Sequence, residues 1–292
     1  MIEAVLLARV AALPCWSGRV EVGELEGGIT NRNLLVQDAR GRYVVRLGED
    51  IPVHGIMRFN ELAASHVAHA AGLSPRVVYA EQGLMVLEYL EARALTPEQV
   101  REPGRLSALV ELLRRCHLEV PKHLRGPVLS FNVFHVLRNY GAWLIEHDSQ
   151  YAAELTGLLE RAARLEQLTG AVRLVWGHND LLAANLLDDG RRLWLIDWDY
   201  GGFNTPLFDL GGLASNSGFG EALELELLSC YFGRAPGPDL LRRYRALKCA
   251  SLLRETMWSM VSEQTSSLDF NYAAYTADNR RRFEGAWEQL KE

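Results

Sequence analysis

The chain has 292 residues, 48% of them hydrophobic and 23% charged, with a net charge of −6. That is the composition of a folded globular protein with an ample core, in one large domain or two lobes. The acidic balance, with no Lys/Arg run longer than Arg280–Arg282, argues against binding a phosphate backbone, so no nucleic-acid partner is expected.

In chain order, residues 1–13 read as a short amphipathic helix stopped by Pro14, and their opening is too short and too acidic for a signal peptide. Arg19–Leu25 alternates like a strand and runs into Glu26-Gly27-Gly28-Ile29-Thr30-Asn31. Asn33–Gln37, an Asp-Ala-Arg-Gly turn and Tyr43–Leu47 complete a meander of three strands. By itself Gly27-Gly28 is a hairpin turn, and the lack of G-x-x-x-x-G-K-[ST] excludes a P-loop. Arg46 lies at the end of the third strand. Ile56–Ala71 reads as a helix closed by Gly72, with Glu61 in its second turn. His66 and His69 on that helix have no third ligand nearby and are read as ordinary helix residues. Arg76–Tyr79 and Gly83–Leu90 read as two more strands, giving five strands and one helix, with a lobe boundary within Glu91–Pro97.

From Pro97 to Gly170 the pattern is helical, with Leu155, Leu158, Leu159, Ala162, Leu165 and Leu168 forming one apolar stripe read as core. Residues 247–287 are again mainly helical. Cys15, Cys116, Cys230 and Cys249 are scattered with no Cys-x-x-Cys pair, as suits reduced thiols. No apolar run reaches the roughly 18 residues of a membrane helix. A cytoplasmic protein without a membrane partner is the expectation.

The chemistry concentrates in residues 176–209. Trp-Gly-His178-Asn179-Asp180-Leu-Leu-Ala-Ala-Asn185 carries the H-x-D-x-x-x-x-N spacing of a kinase catalytic loop. Asp197 follows Asp180 by seventeen residues (197 − 180), at the mouth of an apolar strand, Leu193–Ile196. Phosphoryl transfer needs a carboxylate to take the proton of the attacking hydroxyl, and oxygen ligands to hold Mg²⁺ against phosphates. Asp180 suits the first task, Asn185 and Asp197 the second. Each alone is more often a turn, cap or strand-end residue; together, beside apolar strands, they point to catalysis.

This segment resembles that of the choline/ethanolamine kinases and aminoglycoside phosphotransferases, relatives of protein kinases. Asp197-Trp198-Asp199 stands where protein kinases have Asp-Phe-Gly, and Asn179 where they have Arg; both departures favour a small substrate. The resemblance implies an ATP-binding role for Gly28, Thr30 and Asn31 in a loop over the phosphates. It implies the same for Arg46 on its strand with Glu61 as its helix partner, and for Glu88 and Leu90 at the hinge. It casts Asp209 as a brace under the catalytic loop. In choline kinases, C-terminal aromatics box a quaternary ammonium; here Trp258, Tyr272 and Tyr275 match in spacing, with Asp199 or Glu255 as balancing carboxylates. Glu255 replaces a second tryptophan of many eukaryotic choline kinases, so the choice of amino alcohol stays open.

The expectation is therefore an α+β, two-lobed protein-kinase-like fold. Residues 1–90 would form a small antiparallel-sheet nucleotide-binding lobe with one helix, and residues 91–292 a larger, mostly helical catalytic and substrate-binding lobe. The activity expected is transfer of the γ-phosphoryl group of ATP, with Mg²⁺, to the hydroxyl of choline or a related amino alcohol. Ethanolamine, thiamine or an aminoglycoside is the alternative acceptor, and a nucleotide-binding pseudokinase the alternative class. A homodimer is compatible with the resemblance.

Overall fold

The computed structural model describes residues 2–25, 31–266, 268 and 270–290. Helix α1 (Ile2–Ala11) precedes strands β1 (Glu21–Leu25), β2 (Arg32–Gln37) and β3 (Arg42–Leu47). Helix α2 (Arg58–Ala70) then leads to β4 (Val77–Glu81) and β5 (Leu84–Glu88). The five strands form one antiparallel sheet in the order β1-β2-β3-β5-β4. Alternation along β3 sets what each face does. Tyr43, Val45 and Leu47 are buried with Leu34, Val36 and Val86 in a core shared with Val10 of α1. A period of two puts Arg46 on the opposite face. There it meets Glu61 of α2.

Helix α2 begins two residues later than the sequence implies. An antiparallel bridge between Ile51 and Ile56 and the left-handed Gly55 (φ 72°) hold the approach in a tight loop, and Met57 is extended. Glu61 consequently falls in the first turn of the helix, with Arg58 three residues before it.

The remainder is mostly helical. It comprises β6 (Arg93–Ala94), α3 (Pro97–Val100), α4 (Arg105–His123), α5 (Val133–Glu146) and α6 (Ala152–Thr169). Strands β7 (Val175–Gly177), β8 (Leu186–Asp188), β9 (Leu193–Leu195) and β10 (Gly202–Asn204) follow. Helices α7 (Pro206–Asn216), α8 (Glu221–Phe232), α9 (Pro238–Thr265) and α10 (Tyr272–Gln289) close the chain. The short strands make two small sheets, β10-β7 and β6-β8-β9, both antiparallel. Leu155, Leu158, Ala162 and Leu165 of α6 are buried, with Leu159 and Leu168 packed partly exposed against the same core.

Helix α9 runs through the middle of the helical part, packed by α5, α6, α7 and α10. From Ala246 through Ser262 every residue but Lys248 is buried, so it is covered all round, as a central helix must be. Its approach to α7 is close. A Cβ added at Gly211 would lie 2.9 Å from the Lys248 Cα, so a side chain there would push the helices apart. That contact fixes the helix carrying residues 254–258 against the one carrying Asp209.

Candidate active site

The site is built on the loop after β7. Asp209, in the first turn of α7, accepts the main-chain N–H of His178 on Oδ2 (2.8 Å) and that of Asn179 on Oδ1 (2.7 Å). His117 of α4 reaches the same Oδ2 through Nε2 at 3.0 Å, and its Nδ1 pairs with the Tyr231 hydroxyl. Burial alone would raise the Asp209 carboxyl; the His117 bond and the His178 N–H more than offset it, and the pKa is lowered. Asn179 adopts φ 67°, a left-handed conformation that Asn tolerates better than most residues. Its side-chain amide donates to the Tyr200 carbonyl (2.8 Å) and accepts from Asn204 Nδ2 (2.8 Å). The two residues preceding Asp180 are thus fixed by side chains from α7 and β10.

Asn185 Nδ2 donates to the Asp180 carbonyl at 3.0 Å, and its own carbonyl accepts the Ile196 N–H at 3.1 Å. These two bonds bring Asp180, Asn185 and Asp197 to one locus. Asp197 itself has φ 66°, an uncommon conformation for a residue other than glycine. Asp180 is pushed up to about 8 by burial, against the pull of Arg254, with Glu255, Asp197 and Asp199 adding to the rise. A carboxyl so placed is suited to take up a proton.

A buried ionic cluster lies on one side of this loop. Arg46 donates from Nε to Glu61 (2.8 Å) and from Nη2 to Asp197 (2.8 Å) and Asp199 (3.1 Å). Arg58 bonds Glu61 and, at 2.9 Å, Asp199. Asn31 Nδ2 completes the set on Asp199 Oδ2 at 2.9 Å. Burial works against the charge of Arg46, but Asp197, Glu61 and Asp199 raise its pKa well above the ordinary value. Asp199 is held low by Arg46 and Arg58 in spite of its burial. Asp199, read from sequence as a carboxylate for the acceptor, thus has its oxygens taken by two arginines and Asn31. Arg58 was not singled out in the sequence; its spacing of three residues before Glu61 on a helix was the available signal.

The second group lies across the loop, on α9 and α10. Arg254 is ion-paired with Glu255 and reaches to 3.6 Å from Asp180 Oδ1. The Tyr275 hydroxyl donates to Glu255 Oε2 at 3.2 Å. Trp258 and Tyr272 are only 4% and 5% exposed. The Trp258 ring packs near His54 (5.4 Å between centroids), Tyr272 (6.1 Å) and Tyr275 (6.2 Å). The aromatics expected to form a box do cluster, as part of the main core. Arg254 is the residue that sequence reading passed over, although Arg254-Glu255 is the only charged pair in the stretch Cys249 to Ser262, which is a visible signal.

In the segment expected to be the hinge, the Glu88 N–H is bonded to the Arg76 carbonyl and the Tyr89 N–H to the Arg42 carbonyl, while the Leu90 carbonyl accepts from Ala92. The Glu88 side chain is paired with Arg76 on the surface. Gly28 and Thr30 lie outside the described residues.

Known proteins bear on this geometry. The phosphotransferase enzyme family matches residues 21–247. The protein LicA of Haemophilus influenzae is 26% identical over 274 residues, covering 90% of this chain and 99% of that protein. Ethanolamine kinase 2 of Rattus norvegicus is 25% identical over 301 residues, covering 90% of this chain and 75% of that one. Among solved structures, a choline/ethanolamine kinase family protein from Mesorhizobium loti superposes with a TM-score of 0.74 at 28% identity, over 99% of this chain and 95% of that one. The two-part arrangement, with its antiparallel sheet and larger helical region, is therefore a kinase-like fold. The chain belongs to the phosphotransferase enzyme family.

Proposed function

We propose that the protein transfers the γ-phosphoryl group of ATP to the hydroxyl of a small amino alcohol such as choline or ethanolamine. The observation that carries this reading is the convergence of Asp180, Asn185 and Asp197 at one locus, through the Asn185 bonds to the Asp180 carbonyl and the Ile196 N–H. The similarity to an ethanolamine kinase and to a choline/ethanolamine kinase family protein supports an amino-alcohol acceptor. In this reading residues 1–90 and 91–292 are two lobes joined by the hinge.

Each residue then has a task. The acceptor hydroxyl oxygen forms a bond to the γ-phosphorus as the bond to the β–γ bridging oxygen breaks, and the hydroxyl proton passes to the Asp180 carboxylate. Arg46 is the phosphate-binding cation; its forked, permanent charge suits phosphate oxygens, and Glu61 and Asp199 fix its position. Arg58 holds Glu61 and Asp199 in turn. Gly28, Thr30 and Asn31 belong to the loop over the phosphates, and the main chain at Glu88 and Leu90 to the adenine edge. Glu255, Trp258, Tyr272 and Tyr275 form the acceptor end.

The residues present fit a hard divalent cation. The Asn185 amide nitrogen is spent on the Asp180 carbonyl, which leaves its oxygen as the donor atom, and Asp197 adds a carboxylate. Mg²⁺ held there supplies charge neutralisation on the phosphates. The test is ADP release from Mg-ATP across a panel of amino alcohols, with Asp197→Ala and Asn185→Ala alongside. Both variants should lose turnover while melting cooperatively. Wild-type kcat in Asp197→Ala would remove the kinase reading.

A further inference from the structure

A carboxylate that takes a proton from an acceptor hydroxyl has to face it, and the bonds that brace the catalytic loop do not turn Asp180 in any direction. Those from Asp209 and Asn185 end on main-chain atoms of His178, Asn179 and Asp180. The Asp180 side chain can still rotate about its own bonds. Among the described residues its one ionic partner is Arg254 of α9, whose Nη1 stands 3.6 Å from Asp180 Oδ1. The same nitrogen is ion-paired with Glu255 at the next position.

Arg254 is itself locked. It is 2% exposed, and its guanidinium carbon lies 4.2 Å from the Tyr200 ring centre and 5.9 Å from that of Phe131, contacts that restrain the plane of the group. The Tyr140 hydroxyl, bonded to His54 at 3.0 Å, lies beside it. Glu255 is fixed in turn by the Tyr275 hydroxyl at 3.2 Å. The Arg254 side chain is 3% exposed against 17% for that of Asp180, so the pair is closed behind the cation and opens at the carboxylate. Packing alone would be served as well by an apolar side chain of similar volume. A base oriented by a third group, which its own neighbours hold rigid, is what keeps a reacting carboxylate in one geometry. We propose that Arg254 is a positioning residue, holding Asp180 by Oδ1 so that Oδ2 is turned to the acceptor hydroxyl, with Glu255 and Tyr275 as its supports. Glu255 then serves the catalytic loop as well as the acceptor end. The role rests on the kinase reading above and acts on proton transfer, not on the affinity for either substrate.

The experiment uses the full chain with Mg-ATP, and ethanolamine and choline as parallel acceptors. Arg254→Leu should lose about a hundredfold in kcat, by the same factor with both acceptors, with little change in the KM for Mg-ATP or for either acceptor. Arg254→Lys, which keeps the charge without the fork, should recover part of the loss. Arg254→Gln stands in, with the same expectation as the leucine variant, where that variant does not fold. Crystal structures of the wild type and the neutral variant give a readout independent of turnover: the Asp180 carboxylate should leave its wild-type rotamer or occupy two. A lowered Tm with wild-type kcat and an unmoved Asp180 would make Arg254 a core residue and overturn the proposal. A raised acceptor KM, or unequal losses with the two acceptors, would make it a wall of the acceptor pocket and overturn the proposal as well. Both of those outcomes leave the kinase reading standing, whereas failure of the wild type to phosphorylate any amino alcohol removes the reading and this role together.

Discussion

Asp209 offers the sharpest single test of how the catalytic loop is held. Its two carboxylate oxygens accept the N–H groups of His178 and Asn179, at 2.8 and 2.7 Å, and His117 shares one of them. Asp209→Asn preserves the shape but leaves one acceptor oxygen and turns an NH₂ group toward a main-chain donor. Each charge-assisted bond of this kind contributes roughly 1.5–3 kcal/mol, so the loss together with the unsatisfied buried donor amounts to about 3–5 kcal/mol. For 292 residues, an unfolding entropy of about 2.1 cal/mol/K per residue converts this to a fall in Tm of roughly 5–8 °C. In the proposed reading Asp180, which follows directly on the braced residues, takes the acceptor's proton, and a displacement of about 1 Å at such a group can cost roughly a hundredfold in rate. The expected result in a coupled ADP-release assay is a large loss of kcat with little change in the KM for ATP, because the Arg46 cluster is held by other residues. A variant with wild-type Tm and kcat would refute the reasoning. The Asn179 amide bonds to Tyr200 and Asn204 would then be sufficient to fix the loop.

Three further outcomes follow from the packing. Arg46→Ala removes the arginine paired with Asp197 and leaves Arg58 as the arginine holding Glu61 and Asp199; it should raise the KM for ATP and cost about 3–5 kcal/mol of stability, with Arg46→Lys a partial rescue. Unchanged ATP kinetics and Tm in Arg46→Ala would refute both roles. His54 is pulled down to about 3 from 6.5 by burial, with Arg254 contributing, so the folded state resists its protonation; this stability is complete above pH 6.5 and is lost as pH falls toward 3. Between pH 6.5 and 5 the loss should be about 2 kcal/mol in urea titrations and absent in His54→Gln; parallel pH profiles for the two proteins would contradict it. Trp258→Ala, in a packed interior, should lose about 3–5 kcal/mol and melt well below the wild type; a normal Tm with a raised acceptor KM would instead make Trp258 a pocket wall.

Much of this arrangement could be read from residue order because it depends on local rules. The alternation of Tyr43, Val45 and Leu47 against Arg46 settles which face of β3 carries the cation. The Asp180–Asn185 spacing and the apolar strand before Asp197 are similarly local. What could not be read was pairing over long separations. Asp199 sits two residues from Asp197, and nothing in its neighbourhood announces that Arg46 and Arg58, more than a hundred positions earlier, bind it. The start of α2 was displaced for a different reason. Apolar periodicity from Ile56 onward is compatible with helix, but the Ile51–Ile56 bridge competes for that backbone and wins.

The two non-glycine residues with positive φ nearest the reacting groups, Asn179 and Asp197, flank the segment where sequence patterns are strongest. A fold held only by propensity would not choose these conformations, since each costs on the order of a kcal/mol. They persist because long-range partners over-determine them: Asp209 and Asn204 at Asn179, and Arg46 at Asp197. The same partners separate the charges. Arg46 and Arg58 gather three carboxylates on one side of the loop, while Arg254 and Glu255 form a smaller group on the other, with Asp180 within reach of the latter. In the kinase reading this division assigns the phosphate donor to the first group and the acceptor to the second. The proton-accepting carboxylate then stands between them, held by a backbone that neither group has to position.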